Sequence, residues 1–310
     1  MPDFNPLWTA QPFRSARNAF LSVIGILAIM DGLTHPSQSL AQSATAAPKF
    51  EVASIKVCKG EGRGQQKGSD PDRGGGQNAS AGRLSIKCDT LSDLIQHAYI
   101  TFANGRSHPP EFQPIEGGPA WIHSDRYAIE AKAATPESQG MMNGPMLQAL
   151  LEERFRLKLR RDTRQVPVYT LSVVKGGPKL QRAKDGDCAP FDFAPPLEPG
   201  QKPCGIPMTS TKGPNLTTEI EGSVADLSKL LGATLDRPVI DKTGITGAFD
   251  FRLEFAIDES TPGVRPTPSD NTPAPSIFTA IQEQLGLKLE SAKGPGEFLV
   301  VDHVERPSEN

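Results

Sequence analysis

The sequence has no excess of positive charge. Its 33 lysines and arginines are outnumbered by 36 aspartates and glutamates, which gives a formal net charge of -3. Aromatic residues make up only 6% of the chain, and no block of basic residues alternates with them. Nucleic acids and anionic membrane surfaces attract proteins through basic patches of that kind. The composition therefore argues against both as partners.

Two catalytic signatures are also absent. The sequence contains no Gly-x-Ser-x-Gly, which places a nucleophilic serine on a sharp turn, and no His-Glu-x-x-His, which binds zinc on a helix. A site could still assemble from residues far apart in sequence. The sequence therefore favours a protein that is not an enzyme, and the alternative is a secreted hydrolase or metal-dependent enzyme with a non-standard site. No cofactor is predicted.

The chain has one short apolar run, near its N-terminus. Phe20–Met30 carries no charge, follows Arg14 and Arg17, and is about half as long as the ~20 residues that span a bilayer. Small residues at Ser39 and Ala41 fit a signal peptidase site. We expect residues 1–41 to be a cleaved signal peptide, with an uncleaved anchor as the alternative. The mature protein is then periplasmic or extracellular and has no membrane span.

Cysteine is scarce, and no two cysteines are spaced as Cys-x-x-Cys. The missing spacing disfavours a redox motif or a zinc ribbon. Cys58 and Cys88 bracket a Gly-rich stretch, and Cys188 and Cys204 bracket a Pro-rich one. In an oxidising compartment we expect disulfides within each local pair, although four cysteines allow three connectivities.

The periodicity of apolar residues predicts an α+β fold. Thr90 and Ser223 are placed to cap amphipathic helices, and Asp93 follows Thr90 at the third helical position. Gly117 and Gly118 mark a turn. A further helix is predicted from Pro145 to Arg154, and another from Ser276 to Leu285. The predicted strands are 50–57, 83–88, 126–132, 156–161, 166–174, 238–241, 248–255, 287–291 and 297–304.

The two halves of the sequence resemble each other. Leu150–Val174 and Ala280–Val304 align at a distance of 130 positions, with Leu157-Lys158-Leu159 on Leu287-Lys288-Leu289. Such a repeat indicates an internal duplication of two related α/β sandwich-like units, each with mixed or antiparallel strands and two helices. The expected organisation is the signal peptide 1–41, a first unit 48–184, a Pro/Gly-rich linker 185–214 and a second unit 215–310.

Long segments of the chain also resemble a known family. They are KFEVASIK at 49–56, GGPAWIHSDRYAIEAKA at 117–133, the stretch 150–180, LDRPVIDKTGITGAFDFRLEF at 235–255 and IFTAIQEQLGLKLESAKGP at 277–295. These segments are similar to the Solibacter-type secreted proteins that carry the domain of unknown function 3738. The resemblance implies export and a common fold, and it implies no reaction.

A fainter resemblance covers the second half. Residues 216–304 are similar to the short N-terminal domain of secretins and TonB-linked receptors, although the insertion 258–275 departs from that pattern. Those domains bind proteins. Their partner cannot be carried over to this chain. Together with the duplicated strand pairs and the absent catalytic signatures, the likeness favours a non-catalytic binding or sensor module outside the cytoplasm. We expect an envelope protein or peptide as partner and exposed sheet edges as the place where a strand is accepted.

A candidate ligand-facing cluster follows the Gly-Gly-Pro turn. Trp121, His123, Asp125 and Arg126 combine an aromatic ring with charged neighbours, although packing of Trp121 under the sheet is the alternative. No metal site is predicted, because histidines 97, 108 and 123 lack the close spacing of metal ligands; only a tertiary convergence with Asp125 would create one.

One run of charged residues alternates in sign where a helix meets a strand. We interpret it as a solvent-exposed face. Its members are Glu152, Glu153, Arg154, Arg156, Arg160, Arg161 and Arg164.

Overall fold

The structure is a computed structural model that describes residues 48–58, 82–184, 188–189, 202–262 and 272–308. The predicted signal peptide lies outside these residues. No helix within them is long and apolar enough to cross a membrane. Helices and strands are interspersed along the chain, and the strands form several mixed or antiparallel sheets. This arrangement confirms the α+β class.

The strands follow the alternation of buried and exposed side chains. In chain order they are β1 Phe50–Val57, β2 Arg83–Thr90, β3 Ile115–Gly117, β4 Arg126–Ala133, β5 Lys158–Val173, β6 Gln181–Arg182, β7 Cys188–Ala189, β8 Lys202–Pro203, β9 Met208–Lys212, β10 Asn215–Gly222, β11 Val239–Asp241, β12 Phe249–Ala256 and β13 Leu287–His303.

The helices begin at polar caps. Thr90, Ser138, Ser223 and Ser276 each accept a hydrogen bond from a backbone N–H of the first turn, as short polar side chains do at helix starts. The helices are α1 Leu91–Gln96, α2 Gln139–Met141, α3 Leu147–Arg154, α4 Val224–Leu235 and α5 Ile277–Ala280. Their π-helical continuations are His97–Thr101, Met142–Met146 and Ile281–Leu285, and Ala120–His123 is a 3-10 helix.

The helix before β5 starts earlier than expected. The sequence predicts its first residue at Pro145, yet Ser138 caps the helix and Pro145 lies inside it. A proline inside a helix removes one N–H donor, and a π-helical turn at Met142–Met146 accommodates it. The prediction was wrong because proline favours the first turn of a helix only as a general rule.

Two long strands replace four predicted short ones. β5 and β13 are continuous and pair antiparallel from Leu287 opposite Val173 to His303 opposite Lys158. The prediction broke β13 at Gly294 and Gly296, which usually interrupt strands. In this strand the absence of a side chain at Gly294 allows Ile240 to pack closely, because a Cβ on Gly294 would lie 2.6 Å from a methyl group of Ile240.

The described strands form three larger sheets, and one of them contains this pair. The long strands lie at the centre of a sheet ordered β11-β5-β13-β3, a second sheet is ordered β1-β4-β2, and a third is ordered β6-β12-β10-β9. β10 was not predicted, and β9 falls within the stretch predicted as a linker. β7 and β8 form a small parallel pair.

The described residues form two hydrophobic cores at opposite ends of the long ladder. The first contains side chains of β1, β2, β4, α1 and α3, together with Leu299 and Val301 from the end of β13. The second contains side chains of β10, β12, α4 and α5, together with Leu171 and Leu287. β13 therefore contributes to both cores, and β5 contributes Leu171 to the second and the partly buried Leu159 to the first.

Equivalent backbone hydrogen bonds form at the C-terminal ends of the two helices that precede the long strands. The carbonyl oxygen of Phe155 accepts a hydrogen bond from the N–H of Glu305 at 2.7 Å, and that of Leu285 accepts one from Lys179 at 2.8 Å. Each donor follows the long strand of the other half. Strand pairing thus links the two predicted units, whose origin by duplication stays a prediction.

Candidate functional site

β1 is an open edge of its sheet among the described residues. It pairs with β4 alone, and the N–H of Cys58 donates to the carbonyl oxygen of Arg126 at 2.9 Å. In an antiparallel ladder successive residues turn their backbone groups to opposite sides. Ser54 and Lys56 therefore face β4, whereas Ile55 and Val57 direct their N–H and C=O groups away from it.

The exposed apolar side chains coincide with sheet edges. Among the described residues the large hydrophobic side chains with high exposure are Val52 at 62%, Val57 at 43% and Met208 at 57%. The two valines lie on β1, and Met208 lies on β9, an edge of the third sheet. Natural proteins usually protect such edges with charge, proline or a covering element. These edges keep exposed apolar groups instead.

Exposed cations lie on both outer strands of this sheet. Lys56 on β1 and both Arg83 and Lys87 on β2 have no ion pair within the described part of the chain. Lys132 pairs with Glu51 at 3.7 Å. Because β4 lies between β1 and β2, only Lys56 of the three cations lies at the β1 edge.

Helix α3 runs beside the N-terminal half of β1. A groove of about 100 Å³ lies between them, lined in part by Phe50 and Leu150. A guanidinium N–H of Arg154 donates to the carbonyl oxygen of Ala53 at 3.4 Å. This contact occupies one outward carbonyl. Ile55 is buried, so Lys56 and Val57 form the accessible part of the edge.

A disulfide fixes the end of the edge strand. Cys58 follows β1 and bonds to Cys88 on β2, with Cα atoms 5.9 Å apart, and Cys188 bonds to Cys204 with Cα atoms 5.0 Å apart. Both bonds follow the predicted local pairing. Because β4 lies between β1 and β2, the first bond spans the sheet and restrains the strand next to Val57.

Trp121 and Asp125 are brought together by a residue that sequence reasoning missed. The Arg306 guanidinium lies 4.9 Å from the Trp121 ring centroid and pairs with the Asp125 carboxylate at 2.9 Å. Tyr127 packs edge-on to Trp121 at 6.4 Å, and burial together with the Asp125 charge raises the pKa of Tyr127. We call Trp121, Asp125, Tyr127 and Arg306 the Trp121 cluster. Its two charged side chains, Asp125 and Arg306, pair with each other.

The other two ligand-facing candidates lie outside that cluster. Arg126 donates to the backbone carbonyl of Cys88 at 2.9 Å, so its side chain supports the disulfide-bonded end of β2. His123 is exposed at the end of its 3-10 helix. The ligand-facing role of all four residues stays a prediction.

The histidines serve separate local contacts. His97 shares a hydrogen bond of 3.0 Å with Asn143 and packs on Phe102, and His108 shares one of 2.7 Å with Asn104. Burial lowers the pKa of both histidines. Within the described residues no group of three or more His, Cys, Asp or Glu side chains could hold a metal ion.

These observations define a disulfide-bonded α+β protein with an open strand edge. The model of one family, described as a protein of unknown function (DUF3738), matches residues 92–304, and the chain belongs to this family. Searches of curated proteins and of solved structures give no match.

Proposed function

We propose that the protein is a non-catalytic binding or sensor module outside the cytoplasm, which captures an extended segment of an envelope protein by adding it to the edge of β1. The observation that carries the proposal is the coincidence of outward backbone groups at Ile55 and Val57 with two exposed valines on the same strand. Strand addition uses main-chain hydrogen bonds for affinity and alternate side chains for specificity.

The charge around β1 indicates which segment fits. Lys56 presents a positive charge at the edge without an ion pair among the described residues. A segment with acidic side chains at alternate positions would place a carboxylate beside Lys56, while its apolar residues on the opposite face would cover Val57. We therefore infer an acidic, extended segment of a partner protein as the ligand.

The size of the edge implies a modest affinity. Two residues offer up to four backbone hydrogen bonds, each worth about 0.5–1.5 kcal/mol net, and association itself has an entropic cost. Burial of one valine adds at most about 1.5–3 kcal/mol. A dissociation constant of about 0.1 mM or weaker is expected. Such an affinity suits reversible sensing.

The proposed location rests on the disulfides and on the sequence resemblance. Two disulfide bonds are typical of oxidising compartments, which include the periplasm and the extracellular medium. The likeness to secreted proteins and, in residues 216–304, to partner-binding domains of secretins and TonB-linked receptors supports the same placement. We also infer that the units 48–184 and 215–310 arose by duplication, with 185–214 as their connection. The equivalent helix ends at Phe155 and Leu285 support that origin.

A proline at position 57 tests the proposal. Val57→Pro removes an outward N–H and leaves the ladder between β1 and β4 intact, because proline is tolerated where its nitrogen faces an open edge. Val57→Thr retains the donor and the strand propensity and is the matched control. The probe is a short peptide that alternates valine and glutamate. We expect Val57→Pro to abolish binding measured by calorimetry and Val57→Thr to retain it.

Reversal of charge gives a second, independent readout. Lys56→Glu should weaken binding of the valine–glutamate peptide and favour the same peptide with lysine in place of glutamate. Equal binding of both peptides to wild type and variant would contradict the proposal, as would unchanged binding to a folded Val57→Pro protein.

A further inference from the structure

A separate cleft opens where α3 meets β5. Its volume is about 470 Å³, within the range of small-molecule sites. Glu152 is on the last turn of α3, whereas Leu150 and Arg154 face β1, so the helix separates the cleft from the strand edge. The cleft is lined by Tyr99, Glu152, Arg156, Leu157, Lys158 and Leu159.

Arg156 adopts a backbone conformation that is costly for any residue with a Cβ. Its φ is +51°, immediately after the residue that caps α3. The residue 130 positions later, Gly286, follows the equivalent helix with φ +66°. Glycine is the usual residue at this place, because a side chain there meets its own backbone. An arginine at this position lowers stability, which suggests that its side chain has another use.

The space beside the two residues differs. A Cβ on Gly286 would lie 2.4 Å from the carbonyl oxygen of Gly177, so the second half leaves no room for a side chain there. In the first half Arg156 lines the cleft. Its side chain therefore carries a guanidinium to the cavity at a place where Gly286 has no side chain.

The charges of the cleft are only partly compensated. Arg156 and Lys158 are exposed, and neither has an ion pair among the described residues. Nearby Arg160, in contrast, pairs with Asp302 at 3.0 Å. Glu152 accepts a hydrogen bond from the Tyr99 hydroxyl at 3.0 Å. Two cations and one carboxylate leave a net charge of +1 on the lining.

Tyr99 contributes to the cleft an apolar ring and a hydroxyl group that stays protonated. It belongs to the π-helical segment His97–Thr101, a distortion that is frequent at functional sites. Burial and the neighbouring Glu152 charge raise the pKa of Tyr99 far above its ordinary range. The hydroxyl therefore stays protonated and keeps the Glu152 carboxylate oriented. The ring and the half-buried Leu159 give the cleft an apolar wall.

We propose that this cleft binds a small organic monoanion, a carboxylate attached to an apolar body. The Arg156 guanidinium and the Lys158 ammonium bind the carboxylate, since charge-assisted hydrogen bonds to a carboxylate are strong and directional. The apolar body lies against Tyr99 and Leu159. Glu152 repels a second negative charge, which excludes phosphate dianions.

Octanoate is a suitable probe for the purified protein. Calorimetry should detect saturable binding with a dissociation constant of about 1 mM or tighter. Inorganic phosphate and octanol should bind at least about tenfold more weakly, because the first has excess charge and the second has none. Equal binding of phosphate, or no saturable octanoate binding, would overturn the proposal.

Arg156→Gly separates binding from folding. The substitution relieves the backbone strain, so the urea midpoint of unfolding should rise, while octanoate affinity should fall at least about tenfold. Lys158→Gln should also weaken binding. Lys212→Gln, which removes an exposed cation on β9, is the control and should leave both quantities unchanged. If Arg156→Gly raises the midpoint and binds octanoate like wild type, the proposal is wrong.

Discussion

Arg306 and Asp125 form an ion pair at 2.9 Å, and the same guanidinium covers the ring of Trp121. The two charged residues are 181 positions apart, so the end of the chain is tied to the loop before β4. Trp121 and Asp125, two of the four residues that the sequence singles out as ligand-facing, are thus in direct contact with Arg306.

Loss of this guanidinium should expose Trp121. In the chain without residues 1–41, Trp121 is the only tryptophan, so its fluorescence reports this cluster alone. We expect Arg306→Gln to increase quenching by iodide and to lower the free energy of unfolding by about 1 kcal/mol or less, because the pair is largely exposed. Arg252→Gln, which breaks the exposed pair with Glu219, is the control and should leave quenching unchanged.

His97 predicts a pH dependence of stability. Burial lowers its pKa in the folded protein below the ordinary value of 6.5, so the unfolded chain binds more protons between the two pKa values. Stability therefore rises with pH across that window and is lost as the pH falls through the folded pKa. His108 contributes with the same sign.

Urea unfolding at about pH 7.5 and about pH 5.5 measures this effect, because carboxyl groups titrate mostly below that range. Wild type should be less stable at the lower pH, and His97→Gln should show a smaller difference. His123→Gln, at an exposed histidine, is the control. An unchanged pH dependence in His97→Gln would show that the buried ring is not its source.

The disulfide next to β1 should stabilise the fold appreciably. A bond that closes a loop of about 30 residues contributes roughly 3–4 kcal/mol in the chain-entropy treatment. Replacement of both Cys58 and Cys88 by serine should lower the free energy of unfolding by about that amount. It should also weaken capture of the valine–glutamate peptide, because the end of β1 is released. Removal of the bond between Cys188 and Cys204 should destabilise the protein without altering peptide affinity.

The two capping boxes offer a matched comparison. The Ser223 hydroxyl accepts from the N–H of Asp226 at 3.2 Å, and the Asp226 carboxylate accepts from the N–H of Ser223 at 2.9 Å. Thr90 and Asp93 repeat the arrangement at the start of α1. Ser223→Ala and Thr90→Ala should each cost about 1 kcal/mol of stability in urea unfolding.

An exposed serine outside any helix tests whether capping is the cause. Ser210→Ala on β9 should change the free energy of unfolding by less than about 0.5 kcal/mol. A loss at Ser210 equal to the loss at Ser223 would contradict the capping explanation.

Local chemistry made much of the fold predictable. Alternation gave the bounds of β1 as the structure has them, and polar caps gave the starts of α1 and α4. The same alternation at Leu216, Thr218 and Ile220 marks β10, which the prediction missed because it treated the Pro/Gly-rich stretch before it as unstructured.

Tertiary contacts determine the features of the fold that local sequence patterns do not predict. β13 continues through Gly294 and Pro295 because β5 supplies its hydrogen bonds along the whole length. Likewise, only strand pairing places β1 at the edge of its sheet and β4 at the centre. The sequence prediction treated Arg156 as one member of a run of exposed charges. Its position after the end of a helix, which Gly286 occupies in the second half, could have indicated its unusual backbone conformation.

Hydrogen exchange at β1 tests the central claim most directly. In the free protein the amide of Val57 points away from β4 in an exposed residue and should exchange rapidly, whereas those of Ser54 and Lys56 are held in the ladder. When the valine–glutamate peptide binds, strand addition predicts new protection at Val57. Saturation by the peptide with no added protection at this amide would contradict the account.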